Sequence, residues 1–335
     1  MKQNLDKYIA SCFLKTTQVL EKFNPNNVIK LQFFQRQNDA ILSGMDEVLE
    51  LLQTHTDTSK YKIKYLPEGS KIDALEVVLE LEGNYQWFGK YEGMIDGILS
   101  RMTSLATNAH RCVSAAKGKP IIFMGDRMDH YLMQERDGKA VKLGGVNIMS
   151  TWAQNHESNT SPFDSIPHAM IQNFGGSLKD AMLAYAATFP DDKIIALIDY
   201  HNNVVAQAKE VWEALGDKLW GVRIDTSKNM KDHMFDNVPD DIQYYGVNVT
   251  QVKNLRNALN KMGAKDLKIV VSSGFDYNKI AAFEAANTPV DFYGVGQSLF
   301  KLICSFSADA TVLNGLAEAK EGRSYRPNPR LKEFN

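Results

Sequence analysis

From residue 120 onward the chain repeats one hydrophobic signature. A short apolar run gives way to a segment with apolar residues at helical spacing, and a turn follows. The runs begin near Ile121 (IIFMGD), Gly144 (GGVNIMST), Ile166 (IPHAMI), Ile194 (IIALIDY), Leu219 (LWGVRID), Ile242 (IQYYGV), Lys268 (KIVVSSG) and Asp291 (DFYGVG). Intervals of 22 to 28 residues fit one strand, one helix and their loops, repeated. Between two of the runs, Val252, Leu255, Leu259 and Met262 share a helical face behind Thr250, a candidate N-cap. So many βα units favour a closed parallel barrel over an open, doubly wound sheet. Because the run at 242–247 is the weakest, the expected fold is an irregular (β/α) barrel of 7–8 parallel strands.

Residues 1–118 read differently. A helix over about 5–22 leads into an alternating strand, NVIKLQFFQR (27–36), and a helix over about 39–54. Two more strand-like runs follow, YKIKYLPEGSKI and LEVVLELEG. A long helix over about 88–117 then carries Met94, Ile95, Ile98, Met102 and Leu105 as its buried stripe. The division predicted is an α+β domain at 1–118 and a barrel holding the active site at 119–304. A C-terminal segment at 305–335, with the strand-like DATVLNG, is expected to pack back on the first domain.

Charge narrows the function classes. The 38 basic and 40 acidic residues nearly balance, and no basic block or basic-aromatic alternation suggests a nucleic-acid partner. Cys12, Cys112 and Cys304 lie far apart in apolar surroundings and form no CxxC pair, which points to a reducing cytoplasm and away from a zinc knuckle. No apolar run reaches the roughly 20 residues of a membrane span, and MKQNLDKYIA is not a signal peptide.

The richest stretch is KIVVSSGFDYNKIAAFEAANTPVDFYGVGQSLF (268–300). Two adjacent apolar runs end in small residues, Ser272-Ser273-Gly274 and Gly294-Val295-Gly296. Such turns let backbone N–H groups close on a phosphate, helped by helix N-termini. In (β/α) barrels the last two strand-end loops commonly hold phosphate. The other polar strand ends are Asp126-Arg127 with His130, Ser150-Thr151, His168, Asp199 and Arg223 with Asp225. Cations, carboxylates and two phosphate cradles on one barrel mouth suit a phosphorylated sugar bearing further anionic groups. No strand end supplies the Lys of a Schiff-base aldolase, and HExxH, Walker and GxGxxG motifs are missing.

In order and spacing, RMDH (127–130), GG (144–145), IPHAMI (166–171), ALIDY (196–200), GVRIDT (221–226), VVSSGFD (270–276) and YGVGQSL (293–299) resemble nicotinate phosphoribosyltransferase, a type II phosphoribosyltransferase. EGNYQWFGKYEGMIDGILSRMTSLATNAHRC (82–112) and the tail FSADATVLNGLAEAKEGRSYRPNPR are similar to the same family, closest to its short archaeal-type members. The resemblance spans roughly residues 75–330.

It implies transfer of phosphoribose from phosphoribosyl pyrophosphate to nicotinate in NAD synthesis, giving nicotinate mononucleotide and pyrophosphate. It also implies Mg2+, coupling to ATP, and a homodimer or higher oligomer. Carried across, Ser273, Gly274, Gly294 and Gly296 would hold the 5-phosphate, while Arg127, His130 and Ser150 would face the pyridine substrate. Arg223 and Asp225 would grip the ribose, and Asp199 with Asp225 would meet the metal. His168 would be the histidine that ATP phosphorylates.

Some positions depart from the family. Its Gly-Thr before x-Pro-His is Asp164-Ser165 here, and its Asp after the double Gly is Asn147. Its Tyr-Phe-x-Arg-Thr becomes Cys12-Phe13-Leu14-Lys15-Thr16, which removes an aromatic that could stack on the pyridine. The alternatives are a quinolinate or nicotinamide phosphoribosyltransferase, or a non-catalytic sugar-phosphate-binding barrel. Retention of Asp199 and Asp225 argues against the last, because a binding module need not stabilise a sugar cation.

Overall fold

The computed structural model describes residues 5–156, 160–163 and 165–334. Two compact units divide the chain: Met1–His110 with Ala140–Gly144 and Lys301–Asn335, and Arg111–Lys139 with Gly145–Phe300.

The first unit opens with α1 (Ser11–Phe23), β1 (Val28–Phe34), α2 (Met45–His55), β2 (Lys62–Tyr65), β3 (Val77–Asn84) and α3 (Glu92–Ala115). The helix expected from residue 39 starts later because Ala40–Ile41 pairs with Lys71–Ile72 instead. Gly44, at φ 96°, then turns the chain. The Glu68 carboxylate accepts from the N–H groups of Gly44 and Asp46 at 2.7 and 3.1 Å, satisfying donors that the first turn of α2 leaves open. Leu31, Phe33, Met45, Leu52, Leu79, Phe88, Ile95 and Leu99 form the core of this unit.

The second unit carries six parallel strands: β4 (Ile121–Phe123), β5 (Ile148–Met149), β6 (Ile194–Leu197), β7 (Leu219–Ile224), β8 (Lys268–Val271) and β9 (Phe292–Val295). Its helices are α4 (Gln134–Leu143, which ends in the first unit), α5 (His168–Asn173), α6 (Leu178–Thr188), α7 (Val204–Leu215), α8 (Val249–Lys261) and α9 (Tyr277–Ala285). Spatial order is β5-β4-β9-β8-β7-β6, so consecutive strands are neighbours except β5 and β6, and the last neighbours the first. That is barrel order, open at one seam: among the described residues β5 and β6 do not pair.

The sheet therefore has six strands rather than the seven to eight expected, for two local reasons. In IPHAMI, Pro167 offers no N–H to a ladder but suits a helix start, and His168–Asn173 coil with Ile171 fully buried. In IQYYGV, Asp241 caps a 3-10 turn at Ile242–Tyr244, Ile242 is 82% exposed, and Gly246 takes φ 62°. Tyr245 makes only an isolated antiparallel bridge to Lys231, so that run joins no strand of the sheet, and β7 bonds directly to β8.

The chain then adds β10 (Ser307–Leu313), β11 (Leu316–Ala317) and β12 (Lys332–Glu333) to the antiparallel sheet of the first unit, in the order β11-β10-β1-β3-β2-β12. All three cysteines are free thiols; Cys12 is exposed rather than set among apolar residues, while Cys112 and Cys304 are buried. Among the described residues no helix is long and apolar enough to cross a membrane.

Candidate active site

The C-terminal ends of β6, β7 and β8 bring the acidic and basic candidates together. His168, first residue of α5, places Nε2 3.1 Å from Asp199 Oδ1, just past β6. The imidazole side chain is 45% exposed while Asp199 is only 6% exposed, so a nearly buried carboxylate orients an open ring. The hydrogen bond from His168 to the Asp199 carboxylate is the main cause holding the His168 pKa above its ordinary value. Burial opposes it, the charges of Asp199 and Asp225 add to it, and Arg223 works against it. With Nε2–H donating to the Asp199 carboxylate, Nδ1 of the neutral ring is left as an acceptor.

Arg223, within β7, has its pKa lowered chiefly by burial, with the like charge of Arg127 adding and Asp225 and Asp199 opposing. Its Nε is buried without a hydrogen-bond partner. A guanidinium in that state is an incomplete anion site, since a buried donor is costly until an acceptor meets it. Asp225 Oδ1 accepts from Ser272 Oγ at 2.7 Å, and Ser272 Oγ also lies 3.3 Å from Ile224 O. Ser272, read from sequence only as part of the small-residue turn, is therefore what fixes the carboxylate.

At the cradle itself, Ser273 and Gly274 both take φ 70°. Left-handed conformation costs little for glycine but is uncommon for serine. A Cβ on Gly274 would meet nothing within 4 Å, so this glycine borders open space. Gly294 and Gly296 differ. A Cβ on Gly296 would lie 2.5 Å from Met124 O, and one on Gly294 2.6 Å from Met124 Sδ. At Gly296 the backbone at the end of β4 demands glycine, whereas at Gly294 the contact is with the flexible end of the Met124 side chain.

Two other candidates are engaged locally. Ser150 donates its hydroxyl proton to Phe123 O at 2.6 Å and so stitches β5 to the end of β4. His130 is exposed, accepts from Leu132 N at 3.3 Å and stacks on Tyr131 with ring centroids 4.6 Å apart. No described hydrogen bond joins His130 to the His168–Asp199–Arg223–Asp225 group. Asp164, in the lead-in to Pro167-His168, lies outside the described residues. Sequence reading also missed His201, whose Nε2 lies 2.9 Å from Gly176 O, and Lys279, whose Nζ donates to Ser273 O at 3.4 Å. Lys279 was concealed by its place in an amphipathic helix.

Residues 14–103 match the family described as quinolinate phosphoribosyl transferase, N-terminal domain. Nicotinate phosphoribosyltransferase pncB1 of Mycobacterium tuberculosis is 28% identical over 230 residues, covering 66% of this chain and 46% of that protein. The nicotinate-nucleotide pyrophosphorylase structure from Pyrococcus furiosus superposes with a TM-score of 0.82 at 27% identity, covering 97% of this chain and 81% of that one. The chain is similar in sequence and fold to pyridine phosphoribosyltransferases. Human nicotinic acid phosphoribosyltransferase shares the fold, with a TM-score of 0.71 at 16% identity over 95% of this chain and 76% of that one. The chain spans about half the length of the curated relatives it matches.

Proposed function

We propose that the protein transfers phosphoribose from phosphoribosyl pyrophosphate to nicotinate, giving nicotinate mononucleotide and pyrophosphate, as one step of NAD synthesis. The observation that carries this reading is the meeting of Asp199, Arg223 and Asp225 beside the Ser273-Gly274 turn. Departure of pyrophosphate leaves a sugar with oxocarbenium character, which fixed carboxylates stabilise. Arg223, with its unpaired buried Nε, receives an anionic oxygen of the donor. The nicotinate nitrogen then bonds to the anomeric carbon as the bond to pyrophosphate breaks. Arg127 holds the pyridine carboxylate through charge-assisted hydrogen bonds that a neutral amide would use poorly, which favours nicotinate over nicotinamide.

Among the described residues no group of three or more His, Cys, Asp or Glu is gathered to hold a metal. Asp199 and Asp225 suit a Mg2+ that shares its ligands with substrate phosphates, the usual mode for this ion. Bound there, it would neutralise charge on the leaving pyrophosphate. In this reading His168 Nδ1 accepts the γ-phosphoryl group of ATP, releasing ADP, and water later hydrolyses the phosphohistidine. The open ring and its buried carboxylate partner support that role.

A second acceptor, quinolinate, is favoured by the family match of the N-terminal domain. Incubation with phosphoribosyl pyrophosphate, Mg2+ and nicotinate, nicotinamide or quinolinate in turn, with and without ATP, tests the whole reading. The expected result is pyrophosphate release fastest with nicotinate, and acid-labile label from γ-labelled ATP that His168→Ala loses. No pyrophosphate with any of the three would refute it.

A further inference from the structure

The Ser272–Phe275 loop is held from behind by side chains that grip two of its carbonyls. Lys279 Nζ donates to Ser273 O at 3.4 Å and Ser298 Oγ donates to Phe275 O at 2.8 Å. Lys279 stands on the first turn of α9, where its own N–H is capped by Asp276 Oδ1 at 2.9 Å. Ser298 comes from the 3-10 turn Gln297–Phe300 that follows β9. The two donors thus arrive from different elements onto alternate carbonyls of one short loop.

The surroundings of this cation pull in two directions, since aromatic faces attract it and burial opposes it. Lys279 Nζ lies 4.4 Å from the centroid of the Phe275 ring and 6.0 Å from that of Phe283. Burial lowers its pKa to about 8, with only the Asp276 charge opposing. An uncharged side chain of similar length would fill the same space without that desolvation cost. The aromatic contacts favour the charge, but they give no reason for its bond to Ser273 O.

Peptide geometry supplies one. The C=O and N–H of a trans peptide point in opposite directions within one plane. Anchoring Ser273 O on Lys279 turns the N–H of Gly274 away from the helix, and Gly274 borders open space. Consecutive N–H groups fixed in such a turn form an anion-binding concavity. We propose that Lys279 is a positioning residue for phosphate, aiming the Gly274 N–H at the 5-phosphate of a phosphosugar and leaving a positive charge behind the turn. Ser298 fixes the Phe275 carbonyl, two residues on, to the same end. The assignment rests on the phosphoribosyl reading above and adds a residue to it.

Calorimetric titration of the full chain with ribose 5-phosphate tests it without requiring turnover. Lys279→Met is expected to weaken ribose 5-phosphate about tenfold, from the loss of a charge-assisted contact. Lys279→Arg should recover to within about threefold of wild type, and Ser298→Ala should lose about threefold, as for one neutral hydrogen bond. In turnover, KM for phosphoribosyl pyrophosphate should rise in Lys279→Met while kcat and KM for nicotinate stay unchanged, a split that general loosening of the fold would not produce. Thermal unfolding checks each variant, and the Arg and Ser298→Ala arms decide the matter if Lys279→Met does not fold. Wild-type affinity in Lys279→Met, or no recovery in Lys279→Arg, overturns the assignment. A wild type that binds ribose 5-phosphate but transfers it to no pyridine refutes the reaction and leaves the Lys279 result standing. A wild type that binds no ribose 5-phosphate overturns both.

Discussion

Replacing Gly296 by alanine separates two explanations for a glycine at a strand end. On sequence grounds Gly296 is glycine so that backbone can approach a phosphate, and a side chain there should block the ligand. The structure puts the added Cβ 2.5 Å from Met124 O and 3.3 Å from the Met124 carbonyl carbon. Comfortable contact needs about 3.5 Å, so the overlap is about 1 Å. Met124 cannot simply retreat, because its N–H donates to Val295 O at 2.8 Å and ties β4 to β9. Relief costs that hydrogen bond, about 1 kcal/mol, plus an overpacking term of about 1–3 kcal/mol, for a total of about 2–4 kcal/mol.

Two companions calibrate the value. Gly294→Ala meets mainly the flexible end of Met124, Sδ at 2.6 Å and Cε at 2.8 Å, and should fall near the low end, about 1 kcal/mol. Gly274→Ala meets nothing but forces alanine to φ 70°, costing about 1–2 kcal/mol. Urea unfolding midpoints would order the three variants, and ribose 5-phosphate titration on the folded fraction would show which one touches the ligand. Gly296→Ala should lose stability first, while Gly274→Ala should lose ligand with a smaller shift in midpoint. A Gly296→Ala protein with a wild-type midpoint and lost phosphosugar binding would refute the packing account.

Glu92 gives a pH-dependent prediction: burial first, then the charge of Asp96, raise its pKa from 4.5 to about 7. A carboxyl whose folded pKa lies above its unfolded value contributes stability below about pH 4.5 that is lost as the pH rises toward 7. Discounted for its partial exposure, the loss is about 1–2 kcal/mol, and Glu92→Gln should flatten the denaturation profile between about pH 5 and 8. Parallel profiles for wild type and variant would reject the assignment. Ser272→Ala removes the 2.7 Å hydrogen bond that holds Asp225. Its kcat/KM should fall about tenfold, the scale of a hydrogen bond to a charged group, and an unchanged value would mean that Asp225 is held by other contacts.

The strands around the mouth were legible because each is a short run of residues that are neighbours in sequence. IIALI (194–198) and IVV (269–271) are unbroken apolar runs, as parallel strands covered on both faces must be. The same cue misled at IPHAMI and IQYYGV. Whether an apolar run becomes a strand depends on finding a partner edge and a buried face, and neither is written in the run itself. Strand-end chemistry was readable as a set of residue types, since barrel topology sends every strand end to one rim.

Which members of that set touch was decided only by the fold. His168 and Asp199 are 31 residues apart, and Asp225 and Ser272 are 47 apart. Their contacts follow from strand order and from where the seam opens, which are properties of the whole sheet. Ser150 looked like a free hydroxyl, yet the neighbouring β4 supplies a carbonyl that takes its proton. Gly296 looked like a gap left for a ligand, yet the gap is filled by Met124. Lys279 carried no signal at all, because in sequence an exposed helical lysine and one folded under a loop are the same letter. Local periodicity sets which elements can form; only packing across long sequence separations sets what each polar group faces.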